Sequence, residues 1–278
     1  MPVDPSASIA PTARIHPQAH IGPRTVVRDY CVIEEDVAVG ADCLLEPYVF
    51  VKRWTTMGDG NQISAGTVLG TDPLDKNFTG ERSYLVMGHR NQVREHYTIS
   101  RGTQPESKTV IGDDNYIMTS GHIAHNSELG NGITIASCAL VAGHVTIEDQ
   151  AFISGGVVIH QFSRIGRLAM IGGNVRVNQD APPYFLYGRF DIEPIGLNRV
   201  GLRRAGFSRE DQAAIKQAYR LLYLSGLGLA AALERIEAEI DNPHARHLAA
   251  FVRQSKRGIC RPGREAAAIP GGSERGAE

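Results

Sequence analysis

Residues 121–161 read GHIAHNSELGNGITIASCALVAGHVTIEDQAFISGGVVIHQ, and two patterns run through them together. Ile123, Leu129, Ile135, Val141, Ile147, Ile153 and Ile159 recur at every sixth position. The fourth residue after them is small or β-branched, as at Ser127, Ala139, Val145, Ala151 and Val157. A six-residue period matches neither an amphipathic helix nor an alternating strand; it marks a hexapeptide parallel β-helix. Three hexads close one triangular coil, so residues eighteen apart lie on one corner, about 4.8 Å from coil to coil. The second pattern is histidine: His122 and His125 flank Ile123, Gly143 and His144 follow Val141, and His160 and Gln161 follow Ile159. These residues should stack along one edge, and an edge of polar, titratable groups is where chemistry is expected.

Outward from this stretch the period holds almost to both ends. It runs from Val3 and Ile9 through Leu69, resumes at Met87, and continues to Ile165, Ile171 and Val177. Gly22, Gly40 and Gly58 lie eighteen apart, and they predict a corner that needs the backbone freedom of glycine. Two insertions, 71–86 and 101–110, leave after Leu69 and Ile99, at the corner that carries His125, His144 and Gln161. Loops on a rigid scaffold carry function more often than stability.

Beyond Ala181-Pro182-Pro183-Tyr184 a linker (Phe185–Leu202) leads into helical patterning. Ser208 with Asp211 opens one helix that Gly226 stops, a second spans roughly 229–240, and a third follows Pro243. The expected fold is mainly β: a left-handed parallel β-helix of hexapeptide repeats over 1–185, then a small C-terminal α-helical domain over 186–260. The handedness is that of the repeat class. Residues 261–278, rich in Gly, Ala and charge, read as a disordered tail.

Composition narrows the function. A net charge of −1 argues against a nucleic-acid binder. Four cysteines without a CxxC pair imply no disulfide framework, and Cys31 and Cys43 fall at inward positions. The chain begins with no basic segment followed by an apolar run, and no stretch has the length of a membrane span. A cytoplasmic protein without a transmembrane segment is the expectation.

The motifs Gly121-His122-Ile123-Ala124-His125, Leu140 to Val145, Ile159-His160-Gln161-Phe162, Gln179 to Tyr184 and Gly201 to Ser208 resemble those of the cytosolic UDP-N-acetylglucosamine O-acyltransferases. The resemblance covers residues 3–260. It implies the first step of lipid A biosynthesis: a fatty acyl chain, of the 3-hydroxyacyl type, moves from acyl carrier protein to the 3-hydroxyl of the UDP-sugar. It also implies a homotrimer with sites between neighbouring β-helices, no cofactor and no metal.

The reaction itself needs a general base near neutral pKa, because a sugar hydroxyl is a poor nucleophile; histidine, ordinarily about 6.5, fits. By resemblance His125 is that base and Gly143 supplies the backbone donor for the oxyanion. His122, His144, His160 and Gln161 would position sugar and diphosphate. Asn198 and Arg204 match uridine-diphosphate contacts, Asp75 matches a sugar-hydroxyl acceptor, with Lys76 beside it, and Gly173 leaves room for the acyl tail. Several positions depart from the family pattern: Ser100 replaces a histidine, Asn126 an aspartate, Asp191 a histidine, and Val200 and Ala205 a Glu and an Arg. Three other readings remain open. A carbonic anhydrase with zinc on His96, His122 and His125 would show bound metal. A coenzyme A-dependent sugar acetyltransferase would show its donor preference, and a non-catalytic scaffold would show no turnover.

Overall fold

The computed structural model describes residues 3–263. The aliphatic column packs inward as its period requires, with Ile33, Ile63, Ile99, Ile123, Val141 and Ile159 each at most 3% exposed. Each hexad contributes one short strand, and consecutive strands fall on three different parallel sheets. Sheet 1 carries Ile63, Ile117, Ile135 and Ile171, sheet 2 carries Leu69, Ile99, Ile123, Val141 and Ile159, and sheet 3 carries Met87, Ile111, Ile147 and Ile165. Ile123 pairs with Ile99 on one side and Val141 on the other, the register set by the period. The architecture is a left-handed β-helix with a small helical C-terminal part.

The glycine expectation needs correcting. Gly22, Gly40 and Gly58 are not left-handed; a Cβ at Gly22 would meet Gly40 backbone at 2.6 Å, and one at Gly40 would meet Gly58 backbone at 2.5 Å. They are small because coils stack closely there. The left-handed turn falls on the third residue after the aliphatic one, and side chains occupy it, as at Asp42, Asn126, His144 and Phe162. Stacked coils hold these costly conformations: His144 N–H donates to His125 O (3.0 Å), and Phe162 N–H to Gly143 O (3.2 Å).

Both insertions leave the sheet 2–sheet 3 corner. Sheet 3 resumes at Tyr84 and Lys108, so the irregular chain is 72–83 and 101–107. The stretch read as a linker is ordered instead. Phe185–Gly188 pairs in parallel with Met170–Ile171 and extends sheet 1, and Glu193–Leu197 returns antiparallel to it. Too short to show a period, this hairpin gave no pattern signal.

Four helices follow among the described residues: α1 (Arg199–Arg204), α2 (Arg209–Tyr219, continued by a π turn to Leu224), α3 (Leu229–Glu239) and α4 (Pro243–Arg253). Ser208 and Asp211 form a reciprocal capping box on α2. α4 is seated on the β-helix by the Arg164 guanidinium, 4.1 Å above the Phe251 ring and 3.1 Å from its carbonyl, and by Ser255 on Asp180 (2.7 Å). Residues 264–278, most of the expected disordered tail, lie outside the described residues. Among the described residues no helix is long and apolar enough to cross a membrane.

Candidate active site

Eighteen-residue stacking places His125, Gly143 and Gln161 in one column at the sheet 2–sheet 3 corner, and Asn126, His144 and Phe162 in the next. The His125 imidazole is 7% exposed and lies directly over Gly143. A Cβ on Gly143 would sit 2.5 Å from its Cε1 and 2.7 Å from its Nε2, so the column closes only with glycine there. Among the described residues the Gly143 N–H has no acceptor in its own chain.

The proton on His125 follows from its neighbour. Asn126 Oδ1 accepts the Thr103 backbone N–H (3.1 Å) and the Thr103 hydroxyl (2.9 Å), which identifies that atom as the oxygen. The same oxygen lies 3.0 Å from His125 Nδ1. An amide oxygen only accepts, so Nδ1 carries the proton, and the neutral ring keeps the Nε2 lone pair free. Asn126 is itself held, its N–H donating to Thr109 Oγ1 at 2.8 Å. Thr103 and Thr109 come from the second insertion and the strand that ends it.

His144 packs edge-on to His125 (centroids 5.3 Å apart) and stacks on Phe162 at 4.9 Å. Burial holds its pKa below the ordinary value, His125 pushes the same way, and the Asp75 carboxylate pushes back. The Asp75 carboxylate, in the first insertion, thus lies near enough to His144 to act on its charge within one chain. His122 sits one strand position earlier, its Nδ1 2.7 Å from Thr98 Oγ1, and its buried Nε2 has no partner among the described residues. Burial depresses its pKa, chiefly, with His125 adding to the effect. His160 is exposed, in register with Ala142 and not with the imidazoles, and it bends back toward the Gln161 carbonyl (3.1 Å).

Three expected residues lie apart. Asn198 is 9% exposed and both ends of its amide are engaged: Oδ1 caps α1 through Gly201 N–H (3.0 Å), and Nδ2 donates to Leu168 O (2.9 Å). Within the single chain its amide thus holds the start of α1 against the β-helix. Arg204 is exposed in the last turn of α1. Gly173 lies at the sheet 1–sheet 2 corner, across sheet 2 from His125, exposed and with only Gly155 O near a built Cβ (3.5 Å). Lys76 is exposed beside Asp75.

Ser100 is fully buried and shares a hydrogen bond of 2.9 Å with Thr71 Oγ1, tying together the two insertion roots. Among the described residues no three His, Cys, Asp or Glu side chains converge as metal ligands. A cleft of about 900 Å³ opens beside His144 and Phe162, bounded by Arg164, Arg253, Lys256 and Arg257 from the end of α4. Its last three cations were not singled out from the sequence, because nothing periodic links them to the corner. The corner can thus accept a proton, donate a backbone hydrogen bond beside it, and surround both with neutral imidazoles.

A family profile described as UDP N-acetylglucosamine O-acyltransferase, domain 2, matches residues 180–260. Curated relatives bear the name acyl-(acyl-carrier-protein)–UDP-N-acetylglucosamine O-acyltransferase. The one from Synechocystis is 41% identical over 207 residues, 74% of this chain and 75% of its own. The one from Alkalilimnicola ehrlichii is 44% identical over 196 residues, 69% of this chain and 76% of its own. Among solved structures, a UDP-N-acetylglucosamine acyltransferase from Bacteroides fragilis superposes with a TM-score of 0.89 at 39% identity, covering 91% of this chain and 99% of that one. The Francisella novicida enzyme gives 0.85 at 30% identity, covering 98% and 100%.

Proposed function

The chain belongs to the acyl-carrier-protein-dependent UDP-N-acetylglucosamine O-acyltransferases, the enzymes of the first step of lipid A biosynthesis, and on that premise we propose how its own residues carry the reaction. An acyl chain leaves the carrier's thioester and forms an ester on the sugar, at the 3-hydroxyl. His125 Nε2 takes the hydroxyl proton as the C–O bond forms, then returns it to the departing thiolate. Gly143 N–H, beside that ring, receives the charge that develops on the thioester oxygen. The observation that carries this assignment is Asn126 Oδ1: with two Thr103 donors on it, it accepts a third hydrogen from His125 Nδ1 and leaves Nε2 as the basic nitrogen.

His122 and His144, kept neutral by burial, are suited to hydrogen-bonding sugar hydroxyls without bringing a competing charge. Asp75 and Lys76 would meet the acceptor from the first insertion, with Gln161 and His160 as further contacts. Arg204 is an unpaired cation among the described residues, available to a diphosphate.

We assign the assembly as a homotrimer. Gly173 and His125 sit on opposite edges of sheet 2, so an acyl chain reaching from one to the other must cross that sheet's outer face. Leu140 (48% exposed) and Val158 (41%) leave this face apolar, and Phe152 (36%) does the same for sheet 1. Sheet 1 of one copy packed on sheet 2 of the next would cover both and enclose the path. Sedimentation tests this, and a monomer at micromolar concentration would contradict it. A cytoplasmic location follows from the carrier and nucleotide sugar it uses, and fractionation checks it.

A mass-spectrometric assay with UDP-N-acetylglucosamine and carrier-protein donors of graded length, with and without a 3-hydroxyl, tests the whole reading. Turnover with acyl carrier protein and none with acetyl-coenzyme A is expected. Efficient turnover with acetyl-coenzyme A would overturn it.

A further inference from the structure

One buried cation has no part in this reaction scheme. Arg101, at the root of the second insertion, is 3% exposed, and its side chain points back into the first. There its guanidinium lies between the rings of Trp54 (5.1 Å) and Phe78 (5.3 Å), pairs with the Asp72 carboxylate, and donates to Gly70 O (3.2 Å). Asp72 and Phe78 bracket a tight turn in which Asp75 Oδ1 accepts the Asn77 N–H (2.9 Å) and Asp75 O accepts the Phe78 N–H (3.1 Å). Around this centre the two insertions are joined again and again: Arg101 N–H to Thr71 O (3.0 Å), Ser83 hydroxyl to Gly102 O (2.6 Å), Glu106 N–H to Arg82 O (2.8 Å).

A planar guanidinium suits this place because it can stack on two rings while its edge serves a carboxylate and a carbonyl; a lysine ammonium cannot do both. The segment needs such a clasp. Pro73 is buried, but Leu74 is 82% exposed and Lys76 and Asn77 are exposed too, so beyond Pro73 the turn's tip has no apolar anchor among the described residues.

We infer that Arg101 is a positioning residue for the acceptor sugar nucleotide, holding the 72–78 turn from both ends so that Asp75 and Lys76 face the histidine corner. This rests on the reading that Asp75 and Lys76 meet the acceptor. A misplacement of about 1 Å can cost on the order of 10²-fold in rate or specificity, so the clasp matters although it touches no substrate.

Arg101→Lys and Asp72→Asn test it, with Asp75→Ala assayed alongside. Arg101→Lys should raise KM for UDP-N-acetylglucosamine about tenfold or more, change kcat less, and leave KM for the acyl carrier protein near wild type. Asp72→Asn should shift the acceptor KM the same way by less, and in both variants amide exchange at Asn77 and Phe78 should accelerate. If Arg101→Lys does not fold, Asp72→Asn and Phe78→Leu decide by the same two readouts. Should Asp75→Ala raise the acceptor KM while folded clasp variants keep wild-type KM and exchange, the clasp is overturned. Should Asp75→Ala itself leave the acceptor KM unchanged, it is the acceptor-loop reading that fails, and amide exchange still decides whether Arg101 holds the turn.

Discussion

Gly143 lies beneath His125, and the imidazole occupies the space a Cβ on Gly143 would need, 2.5 Å from Cε1. Eighteen residues separate the two in sequence, one coil of the β-helix. The contact between the proposed base and the proposed oxyanion donor is thus a consequence of the repeat length.

Gly143→Ala forces the ring of His125 to move. His144 packs edge-on against the ring, and a shift away from Gly143 disturbs its hydrogen bond to Asn126. We expect kcat to fall about 10²-fold, with modest loss of stability, as overpacking by one methyl usually costs about 1–3 kcal/mol. Steady-state kinetics with a thermal melt checks both, and a kcat within threefold of wild type would refute the contact's importance.

Asn126 should control how the rate depends on pH. Asn126→Asp keeps every hydrogen bond to the side-chain oxygen, since all its partners are donors, but places a negative charge 3.0 Å from His125 Nδ1. An opposite charge favours imidazolium, so the acid limb of the kcat profile should move to higher pH. Thr103→Val removes a donor and adds no charge, so it should leave that limb in place. Coincident profiles for Asn126→Asp and wild type would show that the two side chains do not interact.

Stability should also decline on acidification, partly through His122 and His144. Burial depresses both below the ordinary 6.5, so below that pH the unfolded chain binds protons the folded chain resists. Stability then rises with pH across this window and is flat above it as far as these two groups are concerned. Urea midpoints between pH 7.5 and 5.5 should therefore drop less steeply in His122→Gln than in wild type. Equal slopes would remove His122 from the account.

Much of this could be read in the sequence, for a definite reason. The inward aliphatic column allows one register, so the corner of His125, Gly143 and Gln161, and the departure of both insertions from it, followed from counting. Contacts made by aperiodic chain could not be counted. Thr103 reaches Asn126 from an insertion, and Arg101 reaches Phe78 across two, so neither the His125 tautomer nor the clasp was legible. Asn198 was expected at the nucleotide by resemblance alone; that it also caps α1 and holds Leu168 O depends on aperiodic chain and could not be counted. The Phe185–Leu197 hairpin was missed for want of length.

Gly173 offers a test of the acyl path. Among the described residues, its two chain neighbours aside, nothing lies closer than 3.5 Å to a built Cβ, so Gly173→Met should fold normally and still shorten the groove proposed to run over sheet 2. The preferred donor should become shorter by several carbons in a competition assay with mixed carrier-protein donors. An unchanged donor profile would place the acyl chain elsewhere.

The most direct test of the central claim is kcat for His125→Ala in a protein shown by sedimentation and melting to be assembled as wild type. General-base catalysis is typically worth about 10²–10⁴-fold, and kcat should fall by that order while KM for both substrates changes little. His144→Ala and Gln161→Ala, as positioning changes, should act more on KM than on kcat. A folded His125→Ala enzyme with near-normal kcat would contradict the account at its centre.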